Sequence, residues 1–197
     1  MRRKEGDKEK DILEAAIQVF AEQGYYQAKI AKIAEVAGIA AGSVYLYFRN
    51  KESILERIFK DVWKKLYREF QVLDQHTDLE PIEKLNGMID LVFSVFTANR
   101  SLAIVFINEH SLSLQKGIGN HGEYYESFLT LAKKILQIGI DNGDFDANLD
   151  SHIYTYFAFG GLRHLLHQWA QDSESFPLDR IQNSLKFAIK NGIMTRP

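Results

Sequence analysis

A short stretch of the sequence carries side chains suited to contacting nucleic acid. The hydroxyl of Ser43 could donate a hydrogen bond to a base edge or accept one from it. The hydroxyls of Tyr45 and Tyr47 and the ammonium of Lys51 would reach phosphate oxygens. The small residues that precede them are Ala41 and Gly42. Small side chains let a helix approach bases closely, so the stretch predicts a DNA contact. Lys29 is a further candidate for the phosphate backbone.

Two short helices joined by a tight turn would position these side chains. Ile30, Ile33 and Ala34 recur at helical spacing, which predicts an apolar face on a first helix. Gly38 would end that helix, because glycine readily takes the left-handed conformation found at helix C-termini. The segment 40–48 would then form the second helix. This layout is typical of a helix-turn-helix, which places its second helix in the major groove.

Twelve residues in one register resemble the DNA-binding signature of the tetracycline-repressor-like (TetR) transcription regulators. They are Ile33, Ala34, Ala37, Gly38, Ile39, Ala40, Gly42, Tyr45, Tyr47, Phe48, Lys51 and Leu55. The resemblance implies operator contacts at the residues named above. One departure occurs at 27–29, where the family commonly has Thr or Ser capping the first helix of the motif. Gln27 is a weak cap, and Lys29 could replace the phosphate contact that a hydroxyl would make.

The pattern along the rest of the chain predicts an all-α protein of nine helices, which is also the architecture that the resemblance implies. Three prolines leave long stretches free to be helical. Beyond the motif, the expected helices cover 7–23, 50–74, 81–98, 102–110, 123–141, 150–171 and 178–191. Asn50 and Ser101 are expected N-caps, and an irregular segment is expected at 111–122. We expect a DNA-binding domain at 1–51 and a ligand-binding and dimerisation domain at 52–197.

Charge is distributed in keeping with that division. The chain has a formal net charge of −2. Residues 1–51 hold nine Lys/Arg and seven Asp/Glu, whereas the remainder holds fifteen and nineteen. A mildly basic end on an acidic body suits a DNA-binding head attached to a separate effector domain.

The last two predicted helices carry apolar residues suited to a dimer interface. They are Ile153, Tyr156, Phe157, Phe159, Gly160, Gly161, Leu165 and Trp169, followed by Ile181, Leu185, Phe187, Ala188 and Ile189. Two copies of this helix pair would form a four-helix bundle across a two-fold axis. Such a homodimer would read both halves of a palindromic operator. The alternative for each residue is core packing within one chain.

The middle of the chain is rich in apolar residues, and by family resemblance these would surround an effector. The stretches AGSVYLYFRNKESIL and ANRSLAIVFINEHSLSL resemble the branch that represses fatty-acid degradation and is released by long-chain acyl-CoA. The expected ligand-binding residues are Trp63, Leu66, Phe93, Phe96, Arg100, Ile104, Ile107, Tyr125, Phe128, Phe157 and Arg163. Among them, Arg100 and Arg163, together with Lys116, would supply cations for the CoA phosphates. The simple alternative for each apolar residue is a place in the core.

Other functional classes find little support. The chain has no cysteine, which excludes thiolate catalysis and Cys-based zinc fingers, and it has no HExxH motif or phosphate-binding glycine loop. We therefore expect no enzyme activity, no metal and no cofactor other than the effector. No run is long enough to span a membrane, so a cytoplasmic protein is expected. Two alternatives stay open: a TetR-like repressor of an efflux or detoxification gene that responds to a drug or aromatic compound, and a helical lipid carrier without operator binding.

Overall fold

The structure is a computed structural model that describes residues 5–115 and 121–195. Within these ranges the chain forms nine α-helices and one isolated antiparallel bridge, between Phe145 and Met194. The helices are α1 (Glu5–Gln23), α2 (Ile30–Val36), α3 (Ala41–Val44), α4 (Lys51–Asp74), α5 (Pro81–Thr97), α6 (Arg100–Gln115), α7 (His121–Asp141), α8 (Ser151–Gln171) and α9 (Leu178–Ile193). The predicted all-α architecture of nine helices is confirmed.

Two compact units divide these helices. The first comprises the described residues of Met1–Val62 and Asn99–Gly122, and the second those of Trp63–Ala98 and Glu123–Pro197. Helix α4 supplies residues to both units, and α6 belongs to the first, where it packs against α1. The expected division into 1–51 and 52–197 separates the chain by expected role, whereas these two units are defined by which residues pack together.

The first unit is built around the apolar face of α1. Helical spacing places Ile12, Ala15, Ala16, Val19 and Phe20 on this face, and all five are buried. An ion pair of 2.7 Å between Arg57 and Glu9 joins α4 to α1 at the surface. The rings of Phe59 and Phe106 stack with centroids 5.2 Å apart and join α4 to α6. Burial of these apolar side chains is the main stabilising term of the unit.

The second unit has a core rich in aromatic rings. Trp63 lies against Tyr125 and Phe128, with ring centroids 4.9 and 5.2 Å apart. Phe70 stacks on Phe128 at 4.5 Å. Two surface ion pairs also join its helices, Asp74 to Lys134 at 2.8 Å and Asp90 to Lys186 at 2.6 Å. Being exposed, such pairs contribute little to stability compared with the apolar core.

Most helix ends follow from local signals. Gly24 ends α1 with a φ of 74°. Asn50 caps α4, because its Oδ1 accepts a hydrogen bond from the N–H of Ser53 at 2.8 Å. Glu80 and Glu83 form a capping box at the start of α5. The carboxylate of Asp150 accepts from two backbone N–H groups at the start of α8, and the N–H of Ile153 in particular holds the pKa of this carboxyl below its usual value.

Several predicted helix boundaries were wrong. Helix α1 begins two residues earlier than expected, and α9 ends two residues later. Helix α3 ends at Val44 rather than at 48, and the chain continues as a hydrogen-bonded turn. Helix α6 is capped by Asn99, whose Oδ1 accepts from the N–H of Leu102 at 3.0 Å, and not by Ser101. It also extends to Gln115, so 111–115 is helical, while 116–120 lies outside the described residues. Helix α7 begins two residues earlier than expected. Neighbouring turns and capping side chains compete closely at helix ends.

Among the described residues, no single helix is long and apolar enough to cross a membrane. The length and hydropathy criteria are met only when α5 and α6 are counted together.

Gly139 leaves room for a buried ring, which makes a testable packing prediction. A Cβ at this position would lie 2.3 Å from two ring carbons of Phe145, a side chain only 1% exposed. We expect Gly139→Ala to lower the free energy of unfolding by about 1–3 kcal/mol, because the ring must shift within a packed core. Urea denaturation measures this change.

Gly192→Ala is the matched control for this substitution. Gly192 is also helical, but a Cβ there would meet no atom within 4 Å. It should leave stability unchanged or raise it by up to ~1 kcal/mol, because alanine favours a helix more than glycine does. Equal effects of the two substitutions would contradict the packing argument.

Candidate DNA interface and effector cavity

A glycine turn joins α2 to α3. Gly38 has a φ of 68°, in the left-handed region. The N–H of Gly38 donates to Glu35 O at 3.1 Å, and the N–H of Ile39 donates to Ala34 O at 3.0 Å. These two bonds form a Schellman motif, which ends a helix and redirects the chain sharply. A side chain at Gly38 would be strained in this conformation, so the turn depends on glycine.

Helix α3 is anchored on one side and open on the other. Val44 and Phe48 are 0% and 4% exposed and hold the segment against the unit's core. The predicted contacts Ala41 and Gly42 are exposed on the opposite side, and the ring of Tyr45 is 58% exposed. The segment therefore presents small residues and a tyrosine to solvent, as an element that enters a DNA groove must do.

The other predicted DNA contacts have mixed surroundings. Ser43 and Tyr47 are partly exposed. Lys29 is exposed and occupies the N-cap position of α2, where its side chain makes no capping hydrogen bond. The ammonium of Lys51 instead donates to backbone carbonyls of Tyr25, Tyr26 and Ala28. These contacts place Lys51 inside the fold of the unit rather than on its open side.

Two exposed apolar residues were missed by sequence reasoning. Leu46 is 82% exposed beside Tyr45, and Tyr26 is 73% exposed in the α1–α2 loop. Leu46 follows the exposed position 42 by four residues, so the helix predicted over 40–48 would have placed it on the same side. An apolar side chain at this place is suited to contact with thymine methyl groups.

The second unit contains a partly open apolar cavity of about 80 Å³. Side chains from five helices, α4, α5, α7, α8 and α9, line it. They are Phe70, Leu85, Met88, Ile89, Val92, Phe128, Leu129, Ala132, Leu136, Tyr154, Thr155, Ala158, Phe159, Leu162, Leu185 and Ile189. Only Tyr154 and Thr155 carry polar atoms, and the Thr155 hydroxyl donates to Ser151 O in its own helix. The lining carries no charge, so the cavity suits a hydrocarbon group.

Only one of the predicted ligand-binding residues lines this cavity. Phe128 does, while Trp63 and Tyr125 lie one layer behind it, against Phe159 at centroid distances of 5.8 Å. The remaining buried predictions in this unit are Leu66, Phe93 and Phe96, none of which lines the cavity. Helical spacing identifies apolar residues but does not tell a cavity wall from solid core.

The outward position of Phe157 contradicts its expected place in a pocket. Its ring is 72% exposed. The residues of α8 that line the cavity are Tyr154, Thr155, Ala158, Phe159 and Leu162, and Phe157 is not among them. Arg100, Ile104 and Ile107 belong to the first unit, on α6. Lys116 lies outside the described residues.

Arg163 is half-buried in the second unit and close to an aromatic hydroxyl. Burial, with smaller contributions from the neighbouring Tyr156 and Glu126, raises the pKa of Tyr125 to about 12, and the positive charge of Arg163 opposes these effects. Among the described residues, Arg163 forms no ion pair and no side-chain hydrogen bond. A partly buried guanidinium without a carboxylate partner is unusual, and it could accept an anionic group.

A group of large apolar side chains is exposed on α8 and α9. Their exposed fractions are 63% for Ile153, 44% for Tyr156, 72% for Phe157 and 70% for Phe187. Gly160 and Gly161 on α8 have no atoms within 4 Å of where a Cβ would lie. By contrast, Phe159, Leu185 and Ile189, which were also considered for an interface, line the cavity. This surface, named the α8–α9 face below, is apolar and unusually exposed for a single chain.

Comparison with known proteins covers both parts of the molecule. The family described as bacterial regulatory proteins of the tetR family matches residues 12–58. The family described as the C-terminal region of YsiA-like proteins matches residues 64–192. The fatty acid metabolism regulator protein of Bacillus subtilis (strain 168) is 31% identical over 185 residues, which cover 92% of this chain and 93% of the relative.

Two solved structures have the same fold. One is the fatty acid degradation regulator FadR from Bacillus halodurans, with a TM-score of 0.83 and 29% identity, covering 98% of this chain and 100% of that one. The other is FadR from Bacillus subtilis in complex with stearoyl-CoA, with a TM-score of 0.79 and 30% identity, covering 93% of this chain and 98% of that one.

The helix-turn-helix in the first unit and the apolar cavity in the second are the two parts that such regulators need. Proteins of this family bind DNA operators and small-molecule effectors. The chain therefore belongs to the TetR family, as a transcriptional repressor of the fatty-acid-regulator type and not an enzyme.

Proposed function

We propose that this repressor leaves its operator when a long-chain acyl-CoA binds, and that it thereby controls genes of fatty-acid metabolism. The observation that carries the proposal is the uncharged cavity of the second unit, in a chain that is 30% identical to a regulator solved with stearoyl-CoA. The cavity would hold the hydrocarbon chain, and the cycle would need no cofactor.

The size of the cavity implies that binding changes the protein. A volume of about 80 Å³ is well below the ~300–1,000 Å³ typical of pockets that enclose a drug-sized ligand. A long acyl chain would therefore have to displace side chains or helices of the wall. Because the wall comes from five helices, including α4, occupancy of the cavity is coupled to their packing.

The CoA phosphates would need a positive surface near the tail. A polar groove of the second unit is bounded by Asp74, Glu123 and Glu126. The single lysine of this groove, Lys134, is paired with Asp74. The groove therefore has a net negative charge, which would repel phosphates. Arg163 is the better candidate in this unit, because its half-buried guanidinium has no carboxylate partner. We propose that the CoA phosphates of the ligand lie near Arg163.

Phe70 is the side chain through which the cavity would act on α4. It is the only α4 residue in the lining, and its ring stacks on Phe128, which also lines the cavity. A hundredfold loss of operator affinity needs about 2.7 kcal/mol of differential binding. Burial of roughly four methylene groups supplies that amount, at about 0.8 kcal/mol each.

We propose that the α8–α9 face forms the homodimer interface. Two copies of this face would bury Ile153, Phe157 and Phe187 against each other, and the exposed backbone at Gly160 and Gly161 would allow the helices to approach closely. A dimer would present two helix-turn-helix motifs to a palindromic operator. A change in α4 would then alter the spacing of the two motifs.

The operator contacts proposed for each protomer are the exposed residues of α3 and its following turn, with Lys29. Ala41, Gly42, Ser43 and Leu46 would face the bases, while Tyr45 and Tyr47 would reach phosphates. A gel shift with DNA from upstream of the protein's own gene tests this part. Failure of the folded dimer to bind any such DNA would favour the lipid-carrier alternative.

A side chain that fills the cavity should leave operator binding intact and impair the release of the operator by stearoyl-CoA. In Ala158→Leu, the added carbons occupy space that the ligand needs, while the wall stays apolar. We expect the variant to bind operator normally, to be at least as stable as the natural chain, and to require about tenfold more stearoyl-CoA for release. Fluorescence anisotropy of labelled operator DNA, titrated with stearoyl-CoA, measures the release.

Ala147→Leu is the control, because Ala147 lies in an exposed turn outside the cavity. It should respond to stearoyl-CoA as the natural chain does. If Ala158→Leu also responds normally, the cavity is not the effector site. If an aromatic drug releases the operator and stearoyl-CoA does not, the efflux-regulator alternative is favoured.

Phe70→Leu should weaken the coupling between ligand binding and operator release more than it weakens the binding of stearoyl-CoA itself. The smaller side chain loses the stack on Phe128, so the wall can yield without moving α4. We expect stearoyl-CoA to bind with similar affinity by calorimetry, while the concentration that releases half of the operator DNA rises about tenfold.

Phe93→Leu is matched to this substitution, because Phe93 is also fully buried in the second unit but does not line the cavity. Both substitutions should cost about 1–3 kcal/mol of stability. Only Phe70→Leu should change the ratio of the half-release concentration of stearoyl-CoA to its dissociation constant. The same ratio in both variants would show that Phe70 has no special part in the coupling.

A further inference from the structure

Lys51 occupies a place in its helix that does not favour a positive charge. It is the first residue of α4, and a helix N-terminus carries the positive end of the helix dipole. The cap of this helix is already supplied by Asn50 and Ser53, which bond each other reciprocally. The partners that the structure gives for the Lys51 ammonium lie outside α4.

Three carbonyl groups of the α1–α2 loop surround the Lys51 ammonium. It donates to the oxygen of Tyr25, to that of Tyr26 at 3.0 Å, and to that of Ala28 at 2.9 Å. It also lies 4.5 Å from the centroid of the Tyr25 ring, in a cation–π contact. A lysine ammonium has three N–H donors, and three carbonyl oxygens accept from it here. We name this arrangement the carbonyl clamp.

The clamped segment leads directly into the helix-turn-helix. Tyr25 and Ala28 are buried at 5% and 4% exposure, so two of the three carbonyl groups belong to residues fixed in the core. Helix α2 begins two residues after Ala28, and its N-cap residue Lys29 provides no side-chain hydrogen bond. The start of α2 therefore depends on the conformation of this loop, and α3 follows α2 through the tight turn at Gly38.

We infer that Lys51 is a positioning residue for DNA recognition and not a phosphate ligand. The carbonyl clamp holds the α1–α2 loop against the first turn of α4, and this sets where α2 and α3 lie relative to that turn. It also gives α4 a direct attachment to the helix-turn-helix. The inference rests on operator binding by the first unit, but the clamp itself can be tested without DNA.

Arginine at this position separates the two roles. An arginine is an excellent phosphate ligand, whereas its planar fork cannot direct three donors at three converging carbonyl oxygens. We expect Lys51→Arg and Lys51→Met both to lose about tenfold or more in operator affinity, measured where circular dichroism shows each variant folded. If Lys51→Arg binds operator as well as the natural chain does, the inference is wrong.

The salt dependence of binding gives a second, independent readout. Each lost phosphate contact reduces the slope of log affinity against log salt by about 0.9. Lys51→Met should leave this slope unchanged. Lys29→Met, at an exposed lysine of the same unit, is the control and should reduce it. A slope reduced in Lys51→Met as in Lys29→Met would identify Lys51 as a phosphate contact.

Hydrogen exchange of the DNA-free protein tests the clamp directly. In both Lys51 variants, amides of residues 25–33 should exchange about tenfold faster or more, while those of α8 should not change. Unchanged exchange at 25–33 would overturn the clamp even if operator binding falls. A lower unfolding temperature with unchanged operator affinity would show that Lys51 only stabilises the fold.

Discussion

Helix α4 places buried side chains in the cores of both compact units, so one continuous hydrogen-bonded helix belongs to both. Ile54, Leu55 and Phe59 are buried in the first unit, and Leu66 and Phe70 in the second. A hydrogen-bonded helix of 24 residues is about 36 Å long and does not stretch. A displacement at one end must therefore appear as a displacement of the whole rod or as a bend.

The two ends of α4 are held by different physical means. At the first turn, the carbonyl clamp uses directional hydrogen bonds that tolerate little movement. At the last turns, Phe70 contributes a ring to a partly empty apolar wall. The structure thus combines directional hydrogen bonds at one end of α4 with an apolar, partly open wall at the other.

Much of the DNA-binding unit could be predicted from local patterns. The apolar face of α1 follows from helical periodicity, the turn at Gly38 follows from the conformational freedom of glycine, and Phe48 belongs to the family signature. The effector site was much less predictable: of the expected residues, only Phe128 lines the cavity and Phe157 faces outward. A cavity is formed where five helices fail to fill the space between them, and no single helix carries a signal for that.

Local sequence determined the helices, their glycine stops and most of their caps, because these depend on residues within one or two turns of each other. It also determined the family, since the signature of 33–55 lies in one continuous register. Tertiary structure decided what the side chains do. The sequence predicts Lys51 as a phosphate ligand, but its carbonyl partners in the structure lie 23 to 26 residues earlier in the chain. Only folding brings those oxygens to its ammonium and leaves a space beside Phe70.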